Sequence, residues 1–302
     1  MPMSRTAWSK SRTVSAQTGH EEPYGPGFAV VYASKRYALF SRRLAKLALS
    51  LLAKHGASGS NLLDLACGSG SGSAVFARAG FHVIGIDRSR TMLDVAEQSA
   101  RAEGVRLSLY QQDMQTFHVP FQVDVVACLF DSLNYLLEEQ QLAATFRRVA
   151  TALRPGGLFV FDMNTIHGLE TRWGSGDRIA TMRREFVELN QYHFDPTSRI
   201  NSVTNTVFVR EGDGPLFRRY TEVHRERGYA PEHVFGFLRD AGLDVLAAYG
   251  LGDDFQGLTL GLEPLSDDAG RMVVVAQRAA RDTRRQEQDR YGSDESAEDQ
   301  GR

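Results

Sequence analysis

The sequence predicts an α/β protein in which a doubly wound, mainly parallel sheet of seven strands is followed, after the fifth strand, by an antiparallel β insert. Three observations carry this. A short apolar run at Leu62, Leu63 and Leu65 collapses into small residues, Ala66 to Gly72, and a helical pattern follows. That is a buried strand, a tight glycine loop and a helix. Further apolar runs recur with helical spacing between them, the alternation that builds parallel sheets. After Asn164 the pattern changes to polar–apolar alternation, the mark of an antiparallel sheet solvated on one face.

With 302 residues and 42% hydrophobic content, the chain can bury one large core or two modest ones. A net charge of −2 argues against nucleic acid or a membrane surface as the main partner. Cys67 and Cys128 sit at apolar strand ends without metal-ligand spacing, so the reading is a reducing compartment, no disulfide and no metal. There is no apolar run of about 18 residues and no signal-peptide centre, which predicts a cytoplasmic protein. Residues 1–22 are polar and aperiodic, a flexible arm. Residues 278–302 are charged with almost no apolar residue, a disordered tail, which leaves one domain over 23–277.

The elements follow in order. Between residues 28 and 54 the apolar positions Leu39, Phe40, Leu44, Leu47 and Leu51 recur at three and four, predicting one amphipathic helix, with an aromatic series (Tyr24, Phe28, Tyr32, Tyr37) near its start. His82–Asp87 is the second strand, ending in an acid. Ser89 caps the next helix. Arg106–Gln111 is the third strand and leads into Gln112, Asp113 and Met114. Val123–Leu129 is the fourth, continuous and apolar as a central parallel strand should be. Arg154-Pro-Gly-Gly157 is a turn before the fifth strand, Leu158–Asp162. Thr181–Asp195, Ile200–Glu211 and Leu216–Tyr229 then read as a three-stranded insert, spanning about 178–229. Pro231 opens a helix over Glu232–Ala241. Asp244–Tyr249 and Arg271–Gln277 supply the last two strands as an antiparallel hairpin.

The glycine loop is where the chemistry begins. Glycines let the backbone approach a ligand, and the helix beyond presents unpaired N–H groups. The dinucleotide fingerprint wants G-x-G-x-x-G without an acid inside the strand end. Here the glycines fall at Gly68, Gly70 and Gly72, and the strand carries Asp64, which would repel a pyrophosphate and attract an ammonium group. A NAD-dependent oxidoreductase is therefore disfavoured. The stretch resembles the first motif of the class I S-adenosylmethionine (SAM) dependent methyltransferases, D/E-x-G-x-G-x-G, with Ala66 where the first glycine is usual. The acid of Asp87, the Asp113–Met114 pair and the Leu153-Arg-Pro-Gly-Gly157 run match the same family in the same order. The resemblance covers roughly residues 28–277 and implies a Rossmann-like sheet with SAM as cofactor.

That resemblance also implies a cofactor site. Asp64, Ala66, Cys67, Gly68 and Gly70 belong to its loop. Asp87 would accept the ribose hydroxyls, with Arg88 and Met92 close by. Asp113 would meet the adenine amino group with Met114 beside the ring, and Leu129 and Phe130 would close the end of the fourth strand. In sugar N-methyltransferases and similar enzymes a Tyr-bearing N-terminal segment folds over the cofactor, which places Tyr32 and Tyr37 near SAM.

For the acceptor the candidates are Asp131, Asn134 and Tyr135 after the fourth strand, and Asn164 and His167 after the fifth. Tyr220, Glu222 and His224 of the insert share one face by period two, with Arg219, Thr221 and Val223 as the alternate set. They read as a polar wall, with His224 a base of suitable pKa, or as the exposed face of the insert. The absence of an Asn-Pro-Pro-Tyr-type sequence after the fourth strand counts against a nucleic-acid base. The expectation is a small metabolite or natural-product intermediate methylated at N or O, by a monomer or homodimer. A SAM-binding regulatory or scaffold protein without catalysis is the alternative.

Overall fold

The computed structural model describes residues 23–32, 35–253 and 260–280. The expected flexible arm lies outside them, as does 281–302 of the expected tail. Helices α1 (Pro26–Tyr32) and α2 (Lys35–Lys54) stand where one helix was expected. The division has a packing reason. Val31 of α1 packs with Phe186 and Val207 of the insert, whereas Leu44, Ala48, Leu51 and Leu52 of α2 are buried against the main sheet. One straight helix does not serve two surfaces.

The main sheet has eight strands in the order β11-β10-β12-β5-β4-β1-β2-β3. Strands β1 (Asn61–Leu65), β2 (His82–Asp87), β3 (Ser108–Gln111), β4 (Val123–Cys128) and β5 (Leu153–Asn164) run parallel. Between them lie α3 (Ser71–Arg78), α4 (Arg90–Glu103) and α5 (Glu139–Ala152). Strands β1, β4 and β5 at its centre are buried on both faces, as central parallel strands are, while the edge strand β3 is mostly exposed. Leu63, Leu65, Phe159, Phe161 and Met163 join one core, and Leu62, Leu158 and Val160 the other. The expected turn at Arg154–Gly157 lies inside β5. Its pairing with β4 jumps from Val123↔Leu153 to Val125↔Leu158, so these residues bulge out of the ladder, with Gly156 at φ 77°.

After β5 come the single turn α6 (Ile166–Gly168) and the insert, a separate antiparallel sheet in the order β6-β7-β8-β9. It comprises β6 (Gly176–Met182), β7 (Phe186–Asp195), β8 (Ile200–Arg210) and β9 (Phe217–Arg227), four strands where three were expected. The added edge strand β6 is mostly exposed and so carries no alternation to read. Helix α7 (Pro231–Asp240) returns the chain to the main sheet, where β10 (Leu243–Asp253) and β12 (Arg271–Arg278) pair antiparallel as expected. The eighth strand, β11 (Leu260–Pro264), pairs with the far half of β10 at the edge. Its half-exposed run is too short and mixed for a sequence signal.

Candidate active site

A cleft opens at the carboxyl ends of the parallel strands, the usual ligand position in open α/β sheets. Ala66 and Gly68 after β1, Asp87 and Arg88 at the end of β2, and Asp113 and Met114 after β3 line it. Tyr24, Tyr32 and Tyr135 close the opposite side. The loop after β1 reaches this position through left-handed backbone, with Ala66 at φ 61° and Gly68 at φ 53°. Alanine holds that conformation at a cost of about 1 kcal/mol, which explains the family's usual glycine there. A Cβ added at Gly68 would stand 3.5 Å from Tyr32 Cε1 and 3.6 Å from Met92 Cε, in ordinary contact on the cleft side. A side chain larger than methyl would enter the cleft.

Asp87 ties the loop to the end of β2. Its Oδ2 accepts from the Gly68 N–H at 2.9 Å, and its Oδ1 accepts from the Ser89 N–H at 2.8 Å. Ser89 caps α4 by accepting from the Met92 N–H and donates its hydroxyl to the Tyr24 carbonyl at 3.0 Å. Burial raises the Asp87 pKa, with the two N–H donors pulling the other way. Asp64 lies behind the loop, outside the cleft lining, and accepts from the Ser73 hydroxyl at 2.5 Å. Burial pushes its carboxyl up to about 7, opposed by Ser73 and assisted by the charge of Asp87.

Several residues expected at the cofactor stand outside the cleft lining and pack around the residues that line it. Gly70 allows α4 to approach, since a Cβ there would meet Ala96 Cβ at 3.0 Å. Cys67 Sγ packs against Gly85 of β2. Met92 is buried under the loop, and Leu129 is partly buried against the α2 side of the core. Phe130 and Asp131 take positive φ of 66° and 52°, held there because Asp162 accepts both of their N–H groups, at 2.6 and 3.2 Å. The Phe130 ring thereby reaches Tyr32 at 5.8 Å and Tyr37 at 6.2 Å. Tyr37 stacks on Tyr32 and donates to Glu188 of the insert.

The residues expected to act on the acceptor are dispersed. Asn134 is a structural clamp: its amide donates to the Asn164 and Arg227 carbonyls and accepts the Asn164 N–H. His167 sits half-buried on the α6 turn and is not part of the cleft lining. On β9, Glu222, His224 and Glu226 are buried while Arg219 and Arg225 are exposed. Tyr220 packs against Gly27, where a Cβ would fall 2.3 Å from Tyr220 Cβ. Glu222 caps α1 by accepting from the Tyr24 and Gly25 N–H groups at 2.8 and 2.9 Å. His224 reaches the cleft through Tyr135, whose hydroxyl lies 2.9 Å from His224 Nδ1, and Tyr24 donates to Tyr135 at 3.0 Å.

Sequence reasoning missed the cleft role of Tyr24, although the aromatic series drew attention to it. It also missed Gln141, which is distant in sequence from every motif and left no signal. The link from Glu222 to α1 spans 198 residues and leaves no local trace either.

Comparison with known proteins agrees with this geometry. The family profile described as "Methyltransferase domain" matches residues 62–157. A protein of Geobacillus sp. (strain WCH70) named as a methyltransferase is 34% identical over 187 residues, 61% of this chain and 74% of its own length. The ubiquinone biosynthesis O-methyltransferase of Aeromonas salmonicida (strain A449) is 39% identical over 110 residues, 35% of this chain and 44% of that one. The dTDP-3-amino-3,6-dideoxy-alpha-D-glucopyranose N,N-dimethyltransferase of Streptomyces fradiae is 30% identical over 123 residues, 41% and 46% respectively. In fold, the chain is similar to a SAM-dependent methyltransferase of Clostridium acetobutylicum ATCC 824, with a TM-score of 0.71 at 23% identity over 84% of this chain and 98% of that one. The chain belongs to the SAM-dependent methyltransferases. Its cofactor is SAM.

Proposed function

We propose that the protein transfers the methyl group of SAM to a nitrogen or oxygen of a small metabolite docked between the cofactor and the insert sheet. The observation that carries this is the two-sided cleft, with Gly68, Asp87, Asp113 and Met114 on one wall and Tyr24, Tyr32 and Tyr135 on the other. The first wall suits an adenosyl group: Asp87 would accept from the diol, Asp113 would accept from the adenine amino group, and Met114 would pack beside the ring. The relatives named above act on a quinone precursor and on a nucleotide amino sugar, which supports a small acceptor and leaves the atom open. Small-molecule work in the cytoplasm, by a monomer or homodimer, is part of this reading. So is the single domain over 23–277. Among the described residues no helix is long and apolar enough to cross a membrane.

SAM supplies a methyl carbon already activated by its sulfonium. The protein holds the acceptor in line with that carbon and takes its proton. Tyr135 is the cleft hydroxyl placed for this. It receives the acceptor proton and passes its own to His224 Nδ1, in the tautomer whose Nε2 carries hydrogen. Glu222 Oε2, 3.5 Å from Nε2, stabilises the imidazolium so formed.

The test begins with calorimetry of S-adenosylhomocysteine against NADH, followed by transfer of labelled methyl from SAM to a panel of amines and phenols. Binding of the first and label in any acceptor supports the reading. NADH heat without S-adenosylhomocysteine binding overturns it, and cofactor binding without label in any acceptor favours a non-catalytic binding protein.

A further inference from the structure

Resting on the methyltransferase reading, we propose that the tyrosine-lined end of the cleft is a cation site and that the methyl acceptor is an amine, which enters as an ammonium ion against the neighbouring carboxyl groups of Asp131 and Glu226. Three features meet there. The rings of Tyr24, Tyr32 and Tyr135 line the cleft, with Tyr24 5.9 Å from Tyr32 and 5.6 Å from Tyr135. Aromatic faces attract a cation, and burial pushes all three hydroxyls well above their ordinary pKa, so the rings stay neutral.

The charge behind these rings is negative. Asp131 acts on Tyr24, Tyr32 and Tyr135, and Glu226 acts on Tyr24 and Tyr135. The Asn164 side-chain amide donates to both carboxyl groups at 2.8 Å, which fixes them as neighbours. The positive charge at this cluster is Arg271, and Asp162 shares it with Asp131. A neutral hydroxyl acceptor gains nothing from such a field, whereas an ammonium does. The third feature is a further carboxylate behind the same rings: Glu222 Oε2 lies 3.5 Å from Nε2 of His224, whose ring packs 5.3 Å from Tyr24 and 4.6 Å from Phe28.

The crowding of carboxylates gives the site a proton signature. Burial, followed by the charge of Asp131, raises Glu226 well above the usual carboxylate range, and Asp162 adds to this, while Asn164 and Arg271 oppose it. Tyr135 and Tyr24 face it as neutral phenols, with Glu222 and His224 on its own strand. A cation docking against the tyrosine rings would pull this raised pKa down, so binding draws protons off the carboxyl cluster and strengthens as pH rises.

Choline and 3,3-dimethylbutan-1-ol, which share a shape and differ by one charge, test this in the full-length protein saturated with S-adenosylhomocysteine. Choline has no proton to lose, so any proton released comes from the protein. Calorimetry in buffers of different ionisation enthalpy is expected to show choline at least tenfold tighter than the alcohol, with proton release and stronger binding at higher pH. Glu226→Gln should weaken choline about tenfold, abolish the proton release and leave S-adenosylhomocysteine within twofold. Tyr135→Leu should weaken choline with Glu226 intact. Equal binding of choline and alcohol, or choline binding indifferent to pH and to Glu226→Gln, overturns the cation site. Failure of S-adenosylhomocysteine to bind overturns the cofactor reading first, and this proposal with it.

Discussion

Replacing Asp87 by alanine separates two functions of one carboxylate. In the structure it accepts from the Gly68 and Ser89 N–H groups while facing the cleft. Hydrogen bonds to a charged acceptor contribute about 1.5–3 kcal/mol each. Losing both would remove about 3–6 kcal/mol, less what is recovered by no longer burying a carboxyl whose pKa is already raised. A net stability loss of about 1–3 kcal/mol follows, read as a lower urea midpoint at constant slope. The ligand effect is separate: a diol hydroxyl losing its acceptor weakens binding by about 1–3 kcal/mol, or about 5- to 150-fold. Calorimetry of adenosine and of 2′,3′-dideoxyadenosine on wild type and variant distinguishes them. Asp87→Ala should weaken adenosine by that factor and leave the dideoxy compound nearly unchanged. If both ligands weaken equally, Asp87 acts only by holding the loop, and the ribose assignment is wrong.

Three further outcomes follow from the geometry. Asp64 keeps its proton up to about pH 7 when folded, whereas an exposed aspartate loses it near 4, so this group costs stability progressively as pH rises across that window. Asp64→Asn should therefore gain on wild type by about 1–3 kcal/mol between pH 5 and pH 8 in urea unfolding; a pH-independent difference would contradict the burial argument. Gly27→Ala should destabilise by about 1–3 kcal/mol, because its Cβ would fall inside Tyr220. Helix propensity alone forecasts a gain of about 0.5–1 kcal/mol, so the sign of the Tm change decides. Glu222→Gln removes the charge that caps α1 at 2.8 and 2.9 Å, and limited proteolysis should cut residues 23–32 several-fold faster, with unchanged cleavage as the contrary result.

The parallel half of the fold was legible because its central strands are buried on both faces and its loops carry glycine. Leu62 to Gly72 declared strand, loop and helix in one stretch, and Asp87 and Asp113 followed at strand ends. The edges were not legible. β6 is exposed, β11 is short, and neither presents the periodic apolar face on which strand reading depends. At the site, the cofactor wall could be read locally, while the tyrosine wall could not. His224 joins Tyr135, and Glu222 joins Tyr24, only once β9 is in place, and period-two alternation names a face without naming what it meets. Asn134 shows the converse: a polar residue after β4 looks catalytic in sequence but spends its whole amide on backbone.

The clasp between Glu222 and the start of α1 also sets an order of events at the ribosome. Residues 23–32 emerge before the rest of the cleft, yet the carboxylate that fixes them is 198 residues behind Tyr24 in synthesis. Loop closure over that length contributes little until the sheet bearing β9 has formed. During translation the glycine loop and Asp87 can be assembled while the tyrosine wall still lacks its anchor. The last part of the cleft to be completed is thus built from a segment made before every other part of it.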